Sequence, residues 1–323
     1  MPAIYVSRRI MARPLAELEA SFDVTVHDSE WPPSREELLA ASAGKDGLLV
    51  MGGDPVDDEL LDAAGPQLEV VASHAVGFDN VDLAAATRRG VLVANTPGVL
   101  TRATAELTLT LILDLLRRVT EGDRFLRRRE RWTWAPSFML GSGLTGRTLG
   151  IVGLGRIGRD VARLASAFDP RVVYASRSAA TDVPYERVEL AELLATADVV
   201  SLHCPLTPET RHLIDAGALR SMRRDAYLVN TTRGPVVDED ALVEALRSGE
   251  IAGAALDVFE REPEVHPGLL ELENVVLAPH LGSATVETRE AMGRLCVEAL
   301  RAVLLEGCCP ANALNPEAWE AVT

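Results

Sequence analysis

The apolar positions of this chain fall into short β-branched runs separated by longer stretches of helical period, and the alternation repeats along most of its length. Up to about Thr96 the pattern predicts strands at Ala3–Val6, Val24–Val26, Leu48–Met51, Val70–Ser73 and Val91–Val93. Between them, Ser34 with Glu37 three residues on predicts a capping box that opens a helix, and Gly90 closes another. Pro97-Gly98 punctuates the chain, and a long apolar helix is predicted from Thr101 to Val119. The basic cluster Arg124, Arg127, Arg128, Arg129 and Arg131 then leads into an aromatic stretch, Trp132 to Phe138. A second series begins at Thr148, with strands expected at Leu149–Val152, Val172–Tyr174, Val199–His203, Tyr227–Asn230, Gly253–Leu256 and Val275–Leu277. Such alternation predicts an α/β protein built from two doubly wound parallel sheets. A final amphipathic helix, Val286 to Leu305, ends at Gly307. Its return to the first series would make the second an insertion, giving domains of 1–98 plus 286–323 and of 99–285. No repeat of fixed period and no low-complexity tract interrupts this pattern.

Length and charge narrow the picture. At 323 residues the chain exceeds a single ordinary core and suits two domains. Its formal charge of −16 argues against nucleic acid and anionic membrane as partners, so an anionic substrate must be held by local cations. The longest apolar run, Leu107 to Leu116, is broken by Thr108, Thr110 and Asp114 and is about half the ~20 residues of a bilayer span, so it is expected to be a buried helix. Ser7-Arg8-Arg9 cuts short the N-terminal apolar run, and no secretory leader is expected. Cys204, Cys296, Cys308 and Cys309 lack disulfide or zinc spacing, which points to reduced thiols in a cytoplasmic protein without a metal. The terminal Ala321-Val322-Thr323 is not a peroxisomal address.

Chemistry enters with Gly153-Leu154-Gly155-Arg156-Ile157-Gly158, which follows an apolar strand and opens an alanine-rich and leucine-rich helix. In that context Gly153 makes a tight turn, Gly155 lets the backbone approach a pyrophosphate, and Gly158 allows close packing of helix on strand. The helix N-terminus stabilises the negative charge. After the next strand a carboxylate would bind a free ribose 2′-hydroxyl, but here stand Ser176, Arg177 and Ser178. Asp169 lies at the wrong end of that strand and Asp182 beyond it. A guanidinium and two hydroxyls favour a 2′-phosphate, so NADP(H) is expected in preference to NAD(H), which the same turn can also seat. The alternative is an Arg177 that faces solvent.

Three further residues follow strands and therefore belong to one rim of the second sheet. Arg233 precedes Gly234-Pro235 and can grip a substrate carboxylate while polarising the adjacent carbonyl. Glu262 and His280 can form a pair in which the carboxylate favours the protonated ring, ready to give a proton to a forming alkoxide. General acid catalysis of that kind is worth ~10²–10⁴ in rate.

Nearly the whole chain resembles the D-2-hydroxyacid dehydrogenase family, most closely its glyoxylate/hydroxypyruvate reductase branch. The segments that carry the resemblance are Val76 to Asp82, Asn95 to Thr101, Gly153 to Gly158, His203 to Thr207, Thr231 to Gly234, Asp257 to Pro263 and Pro279 to Ser283. It implies a Rossmann-type nucleotide domain inserted into a flavodoxin-like substrate domain, and reduction of a 2-keto acid by hydride from nicotinamide C4. It implies that Val76 and Gly77 bind the substrate carboxylate through backbone amides, with Met51 also facing substrate. Asp257 would hold the nicotinamide carboxamide, with Thr104 beside the nicotinamide end. The Cys204-Pro205 strand end would lie beside the adenosine, and Thr210, Thr231 and Gly282 are further residues expected at the cofactor. Family members are usually homodimers joined through the long helix and the arm after it, and Trp134 resembles the tryptophan that reaches into the partner's active site.

The substrate-facing loops Met51-Gly52-Gly53-Asp54 and His74 to Phe78 contain no Arg or Lys, so a second anionic group has no expected partner there. Phosphohydroxypyruvate is disfavoured on that ground, and a length of 323 residues is expected to be too short for the regulatory extension that many phosphoglycerate dehydrogenases carry. Phosphite-oxidising relatives place lysine where Val76 stands, and formate dehydrogenases place glutamine where Glu262 stands. Small 2-keto acids remain the expected substrates, glyoxylate and hydroxypyruvate first and pyruvate-like acids next. The rival reading is a nucleotide-sensing scaffold on the same fold, since some relatives keep the three reacting residues without a metabolic role.

Overall fold

A computed structural model describes residues 1–320 of the chain, which divides into two compact units, one formed by residues 1–100 and from 284 onward, the other by Thr101–Ser283. The terminal Ala321-Val322-Thr323, read above as no peroxisomal address, lies outside the described residues.

The first unit holds a parallel five-stranded sheet in the order β2-β1-β3-β4-β5, where β1 is Ala3–Val6, β2 Asp23–Val26, β3 Gly47–Val50, β4 Val70–Ser73 and β5 Leu92–Ala94. This is the flavodoxin-like order. Strands β3, β4 and β5 are buried along their whole length because helices cover both faces, which is why they read as unbroken apolar runs. One face packs on Ile4, Leu18 and Leu300, the other on Leu48, Leu60 and Val71. The capping box forms as expected, with Ser34 Oγ accepting from Glu37 N and Glu37 Oε2 accepting from Ser34 N. The helix Val286–Leu304 belongs to this unit and lies so close to the sheet that a Cβ on Gly47 would come within 2.8 Å of Leu300. Beyond it, Asn315 Oδ1 accepts from Val93 N at 2.8 Å, tying the C-terminal segment to β5.

The second unit holds a parallel seven-stranded sheet in the order β12-β11-β10-β9-β6-β7-β8. Here β6 is Thr148–Val152, β7 Arg171–Ala175, β8 Glu186–Arg187, β9 Val199–Leu202, β10 Tyr227–Asn230, β11 Gly253–Leu256 and β12 Val275–Leu277. The order is that of a Rossmann-type sheet extended by one strand. Sequence pattern does not predict β8, whose two residues are exposed and charged; it exists through pairing of Tyr174 with Arg187 and an Arg171–Glu186 ion pair of 2.7 Å. The long apolar helix spans Thr101–Arg117 and stops earlier than expected. Arg118 turns left-handed at φ 55°, fixed by Glu121, and a separate helix Val119–Arg127 follows. Among the described residues no helix is long and apolar enough to cross a membrane.

Candidate active site

Arg233, Glu262 and His280 each follow a strand of the second sheet, β10, β11 and β12 in turn. Arg233 stands on a turn that Asn230 ties at both ends: Asn230 Nδ2 donates to Arg233 O at 2.9 Å, and its Oδ1 accepts from Thr232 N at 3.0 Å. Gly234 is required beside it, because a Cβ there would overlap the carbonyl of Phe259. That contact seats the Arg233 turn directly on the segment that carries Glu262. Glu262 Oε1 accepts from Phe259 N at 2.9 Å, and Glu262 Oε2 lies 2.7 Å from His280 Nδ1.

Electrostatics decide which partner holds the proton of that bond. Burial pushes the Glu262 carboxyl up, yet the hydrogen bond and charge of His280, the Phe259 N–H and the Arg233 guanidinium together hold it below the ordinary carboxylate value. An ionised carboxylate can only accept, so His280 Nδ1 is the donor and Nε2 is left to face outward on a half-exposed ring. His280 itself adopts φ 53°, unusual for a residue with a side chain, and its turn is held by Asp257. The buried Asp257 carboxylate accepts from Leu281 N at 2.6 Å and Gly282 N at 2.8 Å, while His280 N donates to Asp257 O at 2.8 Å. Burial raises the Asp257 carboxyl above its usual value even so.

Several residues assigned to the cofactor are linked to this turn. Thr104 Oγ1 donates to Gly282 O at 3.0 Å, and a Cβ on Gly282 would sit 3.2 Å from Asp257 Oδ2. Thr108 bridges Thr104 and Thr231, donating to Thr104 O at 2.8 Å with its hydroxyl 2.9 Å from that of Thr231. The sequence alone does not single out Thr108 or Asn230. Thr108 shows only as a small polar residue inside an otherwise apolar run, and Asn230 as the polar end of an apolar strand.

At the other end a cavity of about 670 Å³ is lined by Gly153, Leu154, Gly155, Ser176, Arg177, Ser178, Cys204, Pro205 and Thr210, nine of the residues assigned to cofactor. Gly153 has φ 94° and faces Cys204 N at 2.7 Å from a built Cβ, so only glycine fits. A Cβ on Gly155 meets nothing within 4 Å, leaving open space where a pyrophosphate would approach. No side chain caps the helix Arg156–Ala165, so its first N–H groups remain available to an anion. Arg156, Ile157 and Gly158 do not line the cavity. Gly158 instead packs against Gly153 O, which a Cβ would overlap. Ser176, Arg177 and Ser178 directly follow β7, and no carboxylate stands among them. The backbone there is pinned by Arg187, which donates to Ser176 O at 2.9 Å and to Arg177 O at 3.3 Å. Arg187 escapes a reading of the sequence because it lies on the unpredicted β8. Thr210 shapes the loop after β9 by donating to Pro205 O at 2.6 Å, and burial pushes the Cys204 thiol up to about 11, so it stays protonated.

In the first unit Val76 and Gly77 follow β4, and Val76 O accepts from Asn95 Nδ2 at 2.8 Å. Met51 follows β3, but Asp54 of the same loop turns inward: it is 3% exposed and accepts from Ser7, Arg8 and Met51 N. These two loops contain no Arg or Lys, and the cations near them come from other segments. Arg8, Arg9 and Arg289 line one cavity of about 550 Å³ with Met51 and His74, brought there from other strands and from the last long helix. Trp134 is 92% exposed on the arm, where Trp132 stacks on Phe138 instead. Among the described residues no group of His, Cys, Asp and Glu is placed to hold a metal ion.

Comparison with known proteins bears on the same residues. The D-isomer specific 2-hydroxyacid dehydrogenase NAD binding domain matches residues 109–282. Glyoxylate reductase from Thermofilum pendens is 48% identical, over 98% of this chain and 95% of its own. Glyoxylate reductase from Thermococcus litoralis is 44% identical, over 98% and 97%. A solved structure from Thermus thermophilus superposes with a TM-score of 0.92 at 47% identity, covering 97% of this chain and 99% of that one. The NADPH-dependent glyoxylate/hydroxypyruvate reductase of Sinorhizobium meliloti, solved with NADP and malonate, does so with a TM-score of 0.84 at 34% identity, covering 98% and 97%.

Proposed function

The chain belongs to the D-isomer specific 2-hydroxyacid dehydrogenases, enzymes that use a nicotinamide cofactor, and from that premise we propose that it reduces glyoxylate and hydroxypyruvate to the corresponding 2-hydroxy acids with a preference for NADPH. The observation that carries the reading is the 2.7 Å bond between His280 and an ionised Glu262 beside the Arg233 charge. The cofactor, when bound, supplies the hydride that adds to the keto carbon. Arg233 grips the substrate carboxylate and polarises the carbonyl, and His280 Nε2 delivers the proton to the alkoxide oxygen. Glu262 holds the ring in the orientation and charge state that this transfer requires, and Asp257 holds the turn on which the ring stands.

The cradle fits a dinucleotide: an uncapped helix N-terminus, open space at Gly155 and a cavity reaching Arg177. Preference for NADPH is supported by Ser176-Arg177-Ser178 directly after β7 in place of a carboxylate, and by Arg159, Arg177 and Arg187 around that cavity, against Glu189 and Glu209. We assign Met51, Val76 and Gly77 to substrate, and Trp134 to the active site of the second subunit of a homodimer.

The test is a kinetic panel of glyoxylate, hydroxypyruvate, phosphohydroxypyruvate and pyruvate against NADPH and NADH. Glyoxylate and hydroxypyruvate should give the highest kcat/KM, with NADPH ahead of NADH. A chain that binds NADPH without oxidising it in the presence of any of these acids would be a nucleotide-sensing scaffold.

A further inference from the structure

A cluster of ionisable side chains in the second unit adjoins the acid pair without belonging to it. The loop after β9 runs along the segment that follows Arg233: His212 N donates to Pro235 O at 2.8 Å and Ile214 N to Val236 O at 3.1 Å. From that loop the His212 ring reaches a third segment, the one after β11, where its Nε2 lies 2.6 Å from Glu260 Oε1. A carboxylate only accepts, so His212 Nε2 is the donor. The other oxygen of Glu260 accepts from Glu239 N at 3.3 Å, and Glu239 Oε1 accepts from Glu260 N at 2.8 Å, so the two glutamates hold each other's backbone. Glu260 is thus fixed at its backbone and at both carboxylate oxygens. It stands two residues before Glu262, on the turn where Phe259 N donates to Glu262 Oε1.

Stability alone does not call for this arrangement. Glu239 is 5% exposed, and burial pushes its carboxyl up. The Glu260 N–H bond opposes that push, the Glu260 charge adds to it, and the charges of His266 and Arg261 oppose it again. Bringing two carboxylates together out of water is unfavourable, and an apolar contact would hold the same turn more stably. His212 adds backbone strain, with φ 51° in the left-handed region that residues with a side chain rarely adopt. Strain and buried charge gathered next to a reacting group mark a place where geometry prevails over stability.

We propose that His212, Glu239 and Glu260 are positioning residues that set the Glu262 carboxylate against the His280 ring. Their effect on turnover rests on the reading of Glu262 as the partner that charges His280.

His212→Asn tests this clamp and spares the backbone, because Asn tolerates positive φ and places its amide nitrogen where Nδ1 stands, out of reach of Glu260. His212→Gln places that nitrogen where Nε2 stands. With glyoxylate and NADPH, His212→Asn should lower kcat about tenfold with KM within about twofold, and His212→Gln should restore most of the loss. In the Glu262→Gln background His212→Asn should lower kcat by no more than about twofold further, because the residue it acts through is already changed. An unchanged kcat, or losses that multiply in the double variant as an independent structural defect would give, would overturn the proposal. The readout independent of turnover is the downfield proton NMR signal of the bond between His280 Nδ1 and Glu262, identified by its disappearance in His280→Ala. His212→Asn should shift or broaden that signal and His212→Gln should keep it in place; a signal unmoved by His212→Asn would equally overturn the proposal. Glu260→Gln turns an NH₂ toward His212, breaks the same bond from the other side and serves if His212→Asn fails to fold. If the unmodified protein does not reduce glyoxylate while the signal still moves, the functional reading falls and the clamp stands.

Discussion

Replacing Glu262 with Gln tests the reacting centre with the least change of shape. Glu262 Oε1 already accepts from Phe259 N, so the Gln carbonyl should take that place and turn its NH₂ toward His280 Nδ1. Two donors would then face each other unless the ring gives up its Nδ1 proton, and a ring without that proton cannot deliver one from Nε2 and remain neutral. The loss is a hydrogen bond to a charged acceptor, worth about 1.5–3 kcal/mol, which predicts a fall in reductive kcat of about 10–150-fold. KM for glyoxylate should stay within about twofold, since Arg233 and its Asn230-tied turn are untouched. Stopped-flow single turnovers following NADPH absorbance between pH 5.5 and 8 separate the hydride step from product release. A kcat within twofold of the unmodified enzyme, or a defect confined to KM, would refute the assignment of Glu262 as the partner that charges His280.

Four further outcomes are expected. Arg177→Ala should lower kcat/KM for NADPH by about tenfold, the modest end for an exposed guanidinium, with little change for NADH; Arg187→Ala should do the same indirectly by freeing the Ser176 and Arg177 carbonyls, and equal losses with both cofactors would assign either residue to general folding. His74 has a folded value near 4 against 6.5 unfolded, so the unfolded chain binds more protons between those pH values and stability falls by about 3 kcal/mol as pH drops through that window; His74→Phe should flatten this slope in urea titrations, and an unchanged slope would contradict its burial as a neutral ring. Gly234→Ala must displace the Phe259 carbonyl, so it should cost at least about 3 kcal/mol and lower activity out of proportion to the folded fraction; a normal melting temperature would show that the Arg233 turn is not seated on that segment. Trp134→Ala should change substrate preference or weaken the dimer in sedimentation, and a change in neither would leave it a surface residue of the arm.

What can be read from the chain and what cannot divide along a physical line. Strands β3, β4 and β5 are buried on both faces and therefore announce themselves as apolar runs, whereas β8 exists because two exposed charged residues pair with β7, which leaves no hydrophobic trace. The end of the long helix is hidden because Arg118 continues the helical composition, and its left-handed turn depends on Glu121 three residues away. The His280–Glu262 pair and the glycine turn are legible because sheet topology gathers strand ends to one rim, so residues after successive strands are neighbours whatever their separation in sequence. The same rule applies to the first sheet, where Arg8, Met51 and His74 also follow strands and meet at one cavity. Reading each of its loops singly, for the charge it carries itself, conceals the guanidiniums that the neighbouring strand ends and Arg289 bring to it. The same reading turns Asp54 toward substrate in the loop after β3, when it is buried beneath Arg8. In a parallel sheet the unit that decides what a loop can bind is the row of strand ends, and residues such as Asn230, Thr108 and Arg187, which hold that row in place, become visible only once the row is assembled.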